Sequence, residues 1–220
     1  MPPRRTGRRA ELAEKGIIPV GRARNMSIGV AAQFELLLRQ KDIIGEWARK
    51  GANRKLPKRV SIVELESETW AGFFTWESVP GWRWRMKTSK SKYRAASDFD
   101  LTQYGLLHPL LEQVPLSERT GAIVKGERDL PIRERSYGNW FRDIARAAKI
   151  PDAVWNMDSR AGGATEAFSA GVPLRKIQGA MLHEKEDTTL RYIRRNTSSP
   201  ADVADGRREG RAADIENGTG

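Results

Sequence analysis

Apolar positions recur at helical spacing near the start of the chain. In MSIGVAAQFELLLRQKDIIGEWARK, Val30, Phe34, Leu37 and Leu38 share one face, which predicts a long helix behind a candidate N-cap at Asn25 or Ser27. AELAEKG, before it, predicts a short helix stopped by Gly16, and the polar KGANRKLPKR after it marks a loop. From residue 58 to about 100 the period shortens to two. Pro80-Gly81 separates two runs rich in aromatics, as a hairpin turn would. In the second run Trp82, Trp84 and Met86 point one way, and Arg83, Arg85 and Lys87 the other. TSKS then turns the chain into a third strand near Tyr93.

Helical spacing returns from Leu101 to Arg195. DLTQYGLLHPLLEQV opens with Asp100 as cap and contains Pro109, which should kink or split it. SYGNWFRDIARAAKI is amphipathic through Trp140, Ile144 and Ala148. RAGGATEAFSAG ends at Gly171, PLRKIQGAML begins at Pro173, and a last helix from about Asp187 carries Tyr192. The pattern predicts an α+β fold, mainly α-helical with a small three-stranded antiparallel sheet. Its expected divisions are a basic segment over 1–24, a folded domain over 25–195, and a disordered tail over 196–220 rich in Gly, Ser, Asp and Arg.

Composition narrows the chemistry. The 220 residues carry a formal net charge of +11. Arg4, Arg5, Arg8 and Arg9 hold four of those charges, and the tail from Thr197 is net −2, which leaves +9 on the body. A body so basic suits a polyanion, nucleic acid first. The chain has no cysteine, hence no disulfide, thiolate metal site or cysteine nucleophile. With only His108 and His183 as histidines, a zinc site is not expected, and no metal or other cofactor is called for. No apolar run approaches the ~20 residues of a membrane span, and the basic start lacks the apolar stretch of a signal peptide. A cytoplasmic, nucleoid-associated protein of a bacterium is expected.

The order helices, small sheet, helices, followed by SRAGGATEAFSAGVPLRKIQGAMLHEKEDTTLRYIRR, resembles the catalytic domain of the tyrosine recombinase (phage integrase) family over roughly residues 25 to 195. That family ends in H-x-x-R, a helix broken by AG(V/A), a second helix closing in LGH, and a tyrosine nine residues on. Here Arg160 matches the arginine, SAGVPLRKIQGAML the helix pair, MLH the LGH with His183, and TTLRY closes on Tyr192. FELLLRQKDIIGEW is similar to the family's R-x-x-E-L segment, and RMKTSKSK to its hairpin, with Lys87 as counterpart of the catalytic lysine.

The resemblance implies site-specific DNA breakage and rejoining. Tyr192 would attack a phosphodiester, Arg160 would hold nonbridging oxygens, His183 would hydrogen-bond the phosphate, and Lys87 would protonate the leaving 5′ oxygen. Arg39, Arg83, Arg85, Lys90, Lys92 and Arg191 are expected on DNA. Double-stranded DNA is the implied partner, with no membrane, and with a homo-oligomer or other recombinase subunits on the DNA. The sequence also departs from the pattern. Counting back eleven from Asp42, the first catalytic arginine falls at Ala31 and its glutamate at Phe34, so Arg39 stands where the family packs or touches DNA backbone. The histidine of H-x-x-R is Met157, and Ala161 follows Arg160. Each missing donor would cost about 10²- to 10³-fold in rate, unless Arg22, Arg24 or Arg39 substitutes. The rival expectation is a catalytically degenerate DNA-binding remnant or regulator of recombination. The family's N-terminal DNA-clamping domain has no counterpart here, so the chain is expected to be a fragment or to rely on its basic start or another protein.

Overall fold

The computed structural model describes residues 18–51, 61–87 and 96–193. The expected helix near the start, the loop over 52–60, the third strand near Tyr93, Lys90, Lys92 and the C-terminal tail lie outside them. The long helix expected over residues 26–50 is three elements: α1 (Val20–Glu35), α2 (Gln40–Ile44) and strand β1 (Glu46–Arg49). Leu36, Leu37 and Leu38 explain the break. All three are buried, which three consecutive residues of one helix face cannot be, since each step turns about 100°. Leu37 instead adopts a left-handed backbone (φ 53°). It packs in a small second cluster while Leu36 and Leu38 enter the main core.

Helix α1 begins before the expected caps, at Val20, so the boundary expected at residue 24 falls inside it. Asn25 works within the helix: its amide nitrogen donates to the Gly21 carbonyl, and its oxygen accepts from the Lys125 N–H at 2.7 Å. Gly45 ends α2 at φ 72°. A Cβ there would lie 2.4 Å from the Trp70 indole nitrogen, which donates to the Ile44 carbonyl at 3.0 Å. The turn into β1 therefore closes around the buried Trp70.

A three-stranded antiparallel sheet exists, but its strands are β1, β2 (Ser61–Glu64) and β3 (Glu68–Gly72), in the order β1-β3-β2. The run expected as the first hairpin strand is mostly not strand. Thr75 and Ser78 cap each other's backbone and wind Trp76–Ser78 into a 3-10 turn. Pro80–Trp82 is a second such turn, leading into β4 (Arg83–Lys87) rather than reversing a hairpin. Strand β4 pairs with β5 (Ala96–Asp100) in a separate two-stranded ribbon. Trp84 and Met86 point into the core as expected, each 1% exposed. Trp82 packs against the same core but is only partly buried, and it precedes the strand at φ 64°.

Further along, Asp100 caps as expected, its carboxylate accepting from the Thr102 N–H. Helix α3 (Leu107–Glu112) carries Pro109 in its first turn, where no intrahelical N–H is lost. Its first N–H groups donate instead to Glu35 at the end of α1. Helix α4 (Glu134–Ala147) buries Tyr137 and Trp140 against the main core, while Ile144 is partly covered and Ala148 is exposed. Helices α5 (Asp158–Ser169), α6 (Leu174–Ala180) and α7 (Glu186–Leu190) close the chain. They enclose the second cluster, built on Leu37, Ala164, Ile177, Met181 and Ile193. Tyr192 lies beyond α7, not within a helix. Among the described residues no helix is long and apolar enough to cross a membrane.

Candidate active site

Helices α1 and α5 touch through glycine. A Cβ on Gly163 would lie 2.1 Å from the Phe34 carbonyl oxygen and 2.8 Å from Leu37. Only a residue without a side chain allows this approach. The contact sets Arg160, three residues earlier on α5, beside the turn that leaves α1. Arg39 caps the start of α2 within that same turn. Both arginines line a pocket of about 310 Å³, with Gln33, Gln40, Met157, Arg191 and Tyr192 around it. Ala31, where the family alignment put the first arginine, is a buried core residue at 8% exposure.

Arg160 is 3% exposed. Its Nη2 donates to the Met181 carbonyl at 2.8 Å and contacts His183 Nε2 at 3.0 Å. Its Nε and Nη1 are buried without a hydrogen-bond partner among the described residues. Burial, and after it the nearby charge of Arg39, pushes the guanidinium down to about 10. It is still a cation at neutral pH. Asp42, fully buried, lies 3.9 Å from Arg39 Nη1 and offsets part of the charge.

His183 stands one layer behind the pocket. A guanidinium only donates, so Nε2 accepts and the ring proton sits on Nδ1, facing the Thr189 hydroxyl at 3.0 Å. Both ring nitrogens thus serve the protein, and the imidazole fixes Arg160 rather than facing the pocket. Tyr192 packs against both, its ring 5.2 Å from the His183 ring and 5.1 Å from the Arg160 guanidinium carbon. Buried Ile193 anchors the segment that carries it.

The remaining expected residues are more scattered. Arg22 pairs with Asp143 and lies over Trp140, and Arg24 pairs with Glu118. Neither lines the pocket. Arg83 and Arg85 are exposed but not an unbroken cationic ridge, because Asp100 and Asp98 face them across the ribbon at 3.0 and 3.7 Å. Lys87 ends β4, its backbone paired with Ala96. His108, given no role from sequence, packs edge-on against Trp82. Sequence reasoning missed Gln33 and the Gln40–Asn156 pair, joined at 2.6 Å. An amide within the apolar run of α1 was the available signal for Gln33.

No protein-family model matches the sequence, and no curated protein matches it. Among solved structures the chain is similar to XerA recombinase at a TM-score of 0.47 and 16% identity, over 94% of this chain and 64% of that one. It is similar to the Tn1549 transposon integrase in complex with transposon right end DNA at 0.48 and 14%, over 96% and 66%. With a circular intermediate DNA, the same integrase gives 0.47 and 11%, over 95% and 65%. The chain thus spans less than two thirds of each.

Proposed function

We propose that the chain breaks and rejoins DNA at specific sites, Tyr192 forming a 3′-phosphotyrosine intermediate. The observation that carries this reading is Arg160: a buried guanidinium with Nε and Nη1 unpartnered, in a pocket shared with Arg39 and Tyr192. Buried donors without partners cost about 1–3 kcal/mol each, and more when charged, so an anion that meets them is strongly favoured. A phosphodiester offers two nonbridging oxygens, which suits two guanidinium forks. Negative charge on those oxygens grows as phosphorus becomes pentavalent, and donors already in place favour that state over the ground state.

In this reading Arg39 does the work that the family alignment had assigned to the position of Ala31. His183 holds Arg160 in place, and Arg191 adds positive charge at the pocket. The bond between Tyr192 oxygen and phosphorus forms as the tyrosine gives its proton to solvent water and the bond to the 5′ oxygen breaks. Lys87 is the residue that the sequence resemblance offers as donor to that leaving oxygen. A second DNA 5′-hydroxyl then attacks the phosphotyrosine and releases Tyr192, so the strand is rejoined without an external energy source. Double-stranded DNA is the substrate, and the subunits work as an oligomer upon it.

A nicked suicide duplex spanning the ends of the element that encodes the protein tests this. After cleavage the released fragment diffuses away, and a covalent protein–DNA adduct should appear on a denaturing gel. It should vanish in Tyr192→Phe. No adduct, alongside a salt-sensitive mobility shift, would replace this reading with that of a DNA-binding remnant.

A further inference from the structure

The pocket lacks a neutral hydrogen-bond donor where the resemblance offers one. Met157 stands in place of the first histidine, exposed at 64% and without a donor group. His183 has both ring nitrogens turned to Arg160 and Thr189. Gln33 is different. It sits on α1, 1% exposed, and lines this same pocket. Its Oε1 accepts from the Tyr137 hydroxyl at 2.7 Å. Tyr137 is fully buried, and that burial raises its pKa, so the hydroxyl keeps its proton and donates. A carboxamide that turns its oxygen to Tyr137 turns its NH₂ the other way. Among the described residues that nitrogen has no hydrogen-bond partner, and Gln33 is a lining residue of the pocket.

We infer that Gln33 is a phosphate-contacting residue of this site, donating a side-chain N–H to a phosphate oxygen, with the Tyr137 hydroxyl as the positioning group that fixes its orientation. The inference rests on the pocket being a phosphodiester site. Gln33 then supplies the neutral hydrogen bond that Met157 cannot make. Tyr137 in turn is held close to α1 by Gly29, where a Cβ would lie 2.7 Å from the tyrosine hydroxyl oxygen. The tyrosine, the amide and the pocket therefore form one line from the core outward.

Inorganic phosphate, titrated into the full chain labelled with nitrogen-15, tests the inference without DNA or cleavage. The Gln33 side-chain NH₂ resonances, assigned by their loss in Gln33→Met, should shift with phosphate in step with Arg160 Nε–H. Gln33→Met should weaken phosphate binding about tenfold, the loss expected for a hydrogen bond to a charged group. Tyr137→Phe should weaken it less and broaden the Gln33 pair, a change that a merely structural role would not produce. If Arg160 Nε–H shifts while the Gln33 pair stays still, Gln33 is not a ligand and the phosphodiester reading survives. If neither moves at saturating phosphate, the reading of the pocket fails and this inference with it.

Discussion

Leu182 holds a left-handed backbone, φ 54°, at the position where the resembling motif places glycine. The turn is required because it sets His183 behind Arg160. The His183 N–H donates to the Gln178 carbonyl at 3.1 Å, and Gln178 returns a bond to the His183 carbonyl at 3.1 Å. A non-glycine residue in this conformation costs on the order of 1–3 kcal/mol, against which stands the partial burial of the leucine side chain. Leu182→Gly should accordingly leave stability within about 1 kcal/mol of the parent, whereas truncating a core leucine such as Leu111 costs ~2–5 kcal/mol. Urea unfolding measures both. A loss above about 2 kcal/mol for Leu182→Gly would mean that its packing outweighs the strain it carries.

Helices α1 and α5 carry the site at the scale of elements, and their contact leaves no room for a side chain at Gly163. Gly163→Ala should destabilise the fold by about 1–3 kcal/mol, as overpacking does, because the obstruction is the Phe34 backbone and cannot move aside. Gly162→Ala is the control: its Cβ would meet only the Phe34 ring, at 3.3 Å. Thermal melts should separate the two, and equal midpoints would refute the close approach. Among the helices after Leu101, α4 was legible from its apolar period, and α5 and α6 from the Gly171 and Pro173 beside their ends. The helix expected through residues 26–50 was not, since apolar spacing continues across the Leu37 turn and nothing in LLLRQKD signals a left-handed leucine. The small three-stranded sheet was expected, but its strands were not, for a related reason. Its central strand ETWAG is short and buried at Trp70 and Ala71, whereas the aromatic run that attracted attention packs as 3-10 turns.

At the scale of the whole molecule the property that bears on a polyanionic partner is charge. The +11 is already net of the acids, and ion pairs such as Arg83–Asp100 and Arg142–Asp152 leave part of the 39 basic side chains facing a carboxylate. DNA binding should still weaken steeply with salt, by a slope of about −0.9 in log K against log salt for each phosphate contacted. A mobility-shift series at rising salt gives that slope, and a value near zero would remove DNA as the partner. Arg160, His183 and Tyr192 could be related in the sequence by their mutual spacing. Arg39 could not, because its place in the pocket depends on a backbone turn that no residue count reveals. The most direct measurement is therefore the single-turnover rate of adduct formation on a suicide duplex by Arg39→Ala. The account expects a fall of about 10²- to 10³-fold at a temperature where circular dichroism shows the variant folded, and an unaltered rate would contradict the pairing of Arg39 with Arg160 on one phosphate.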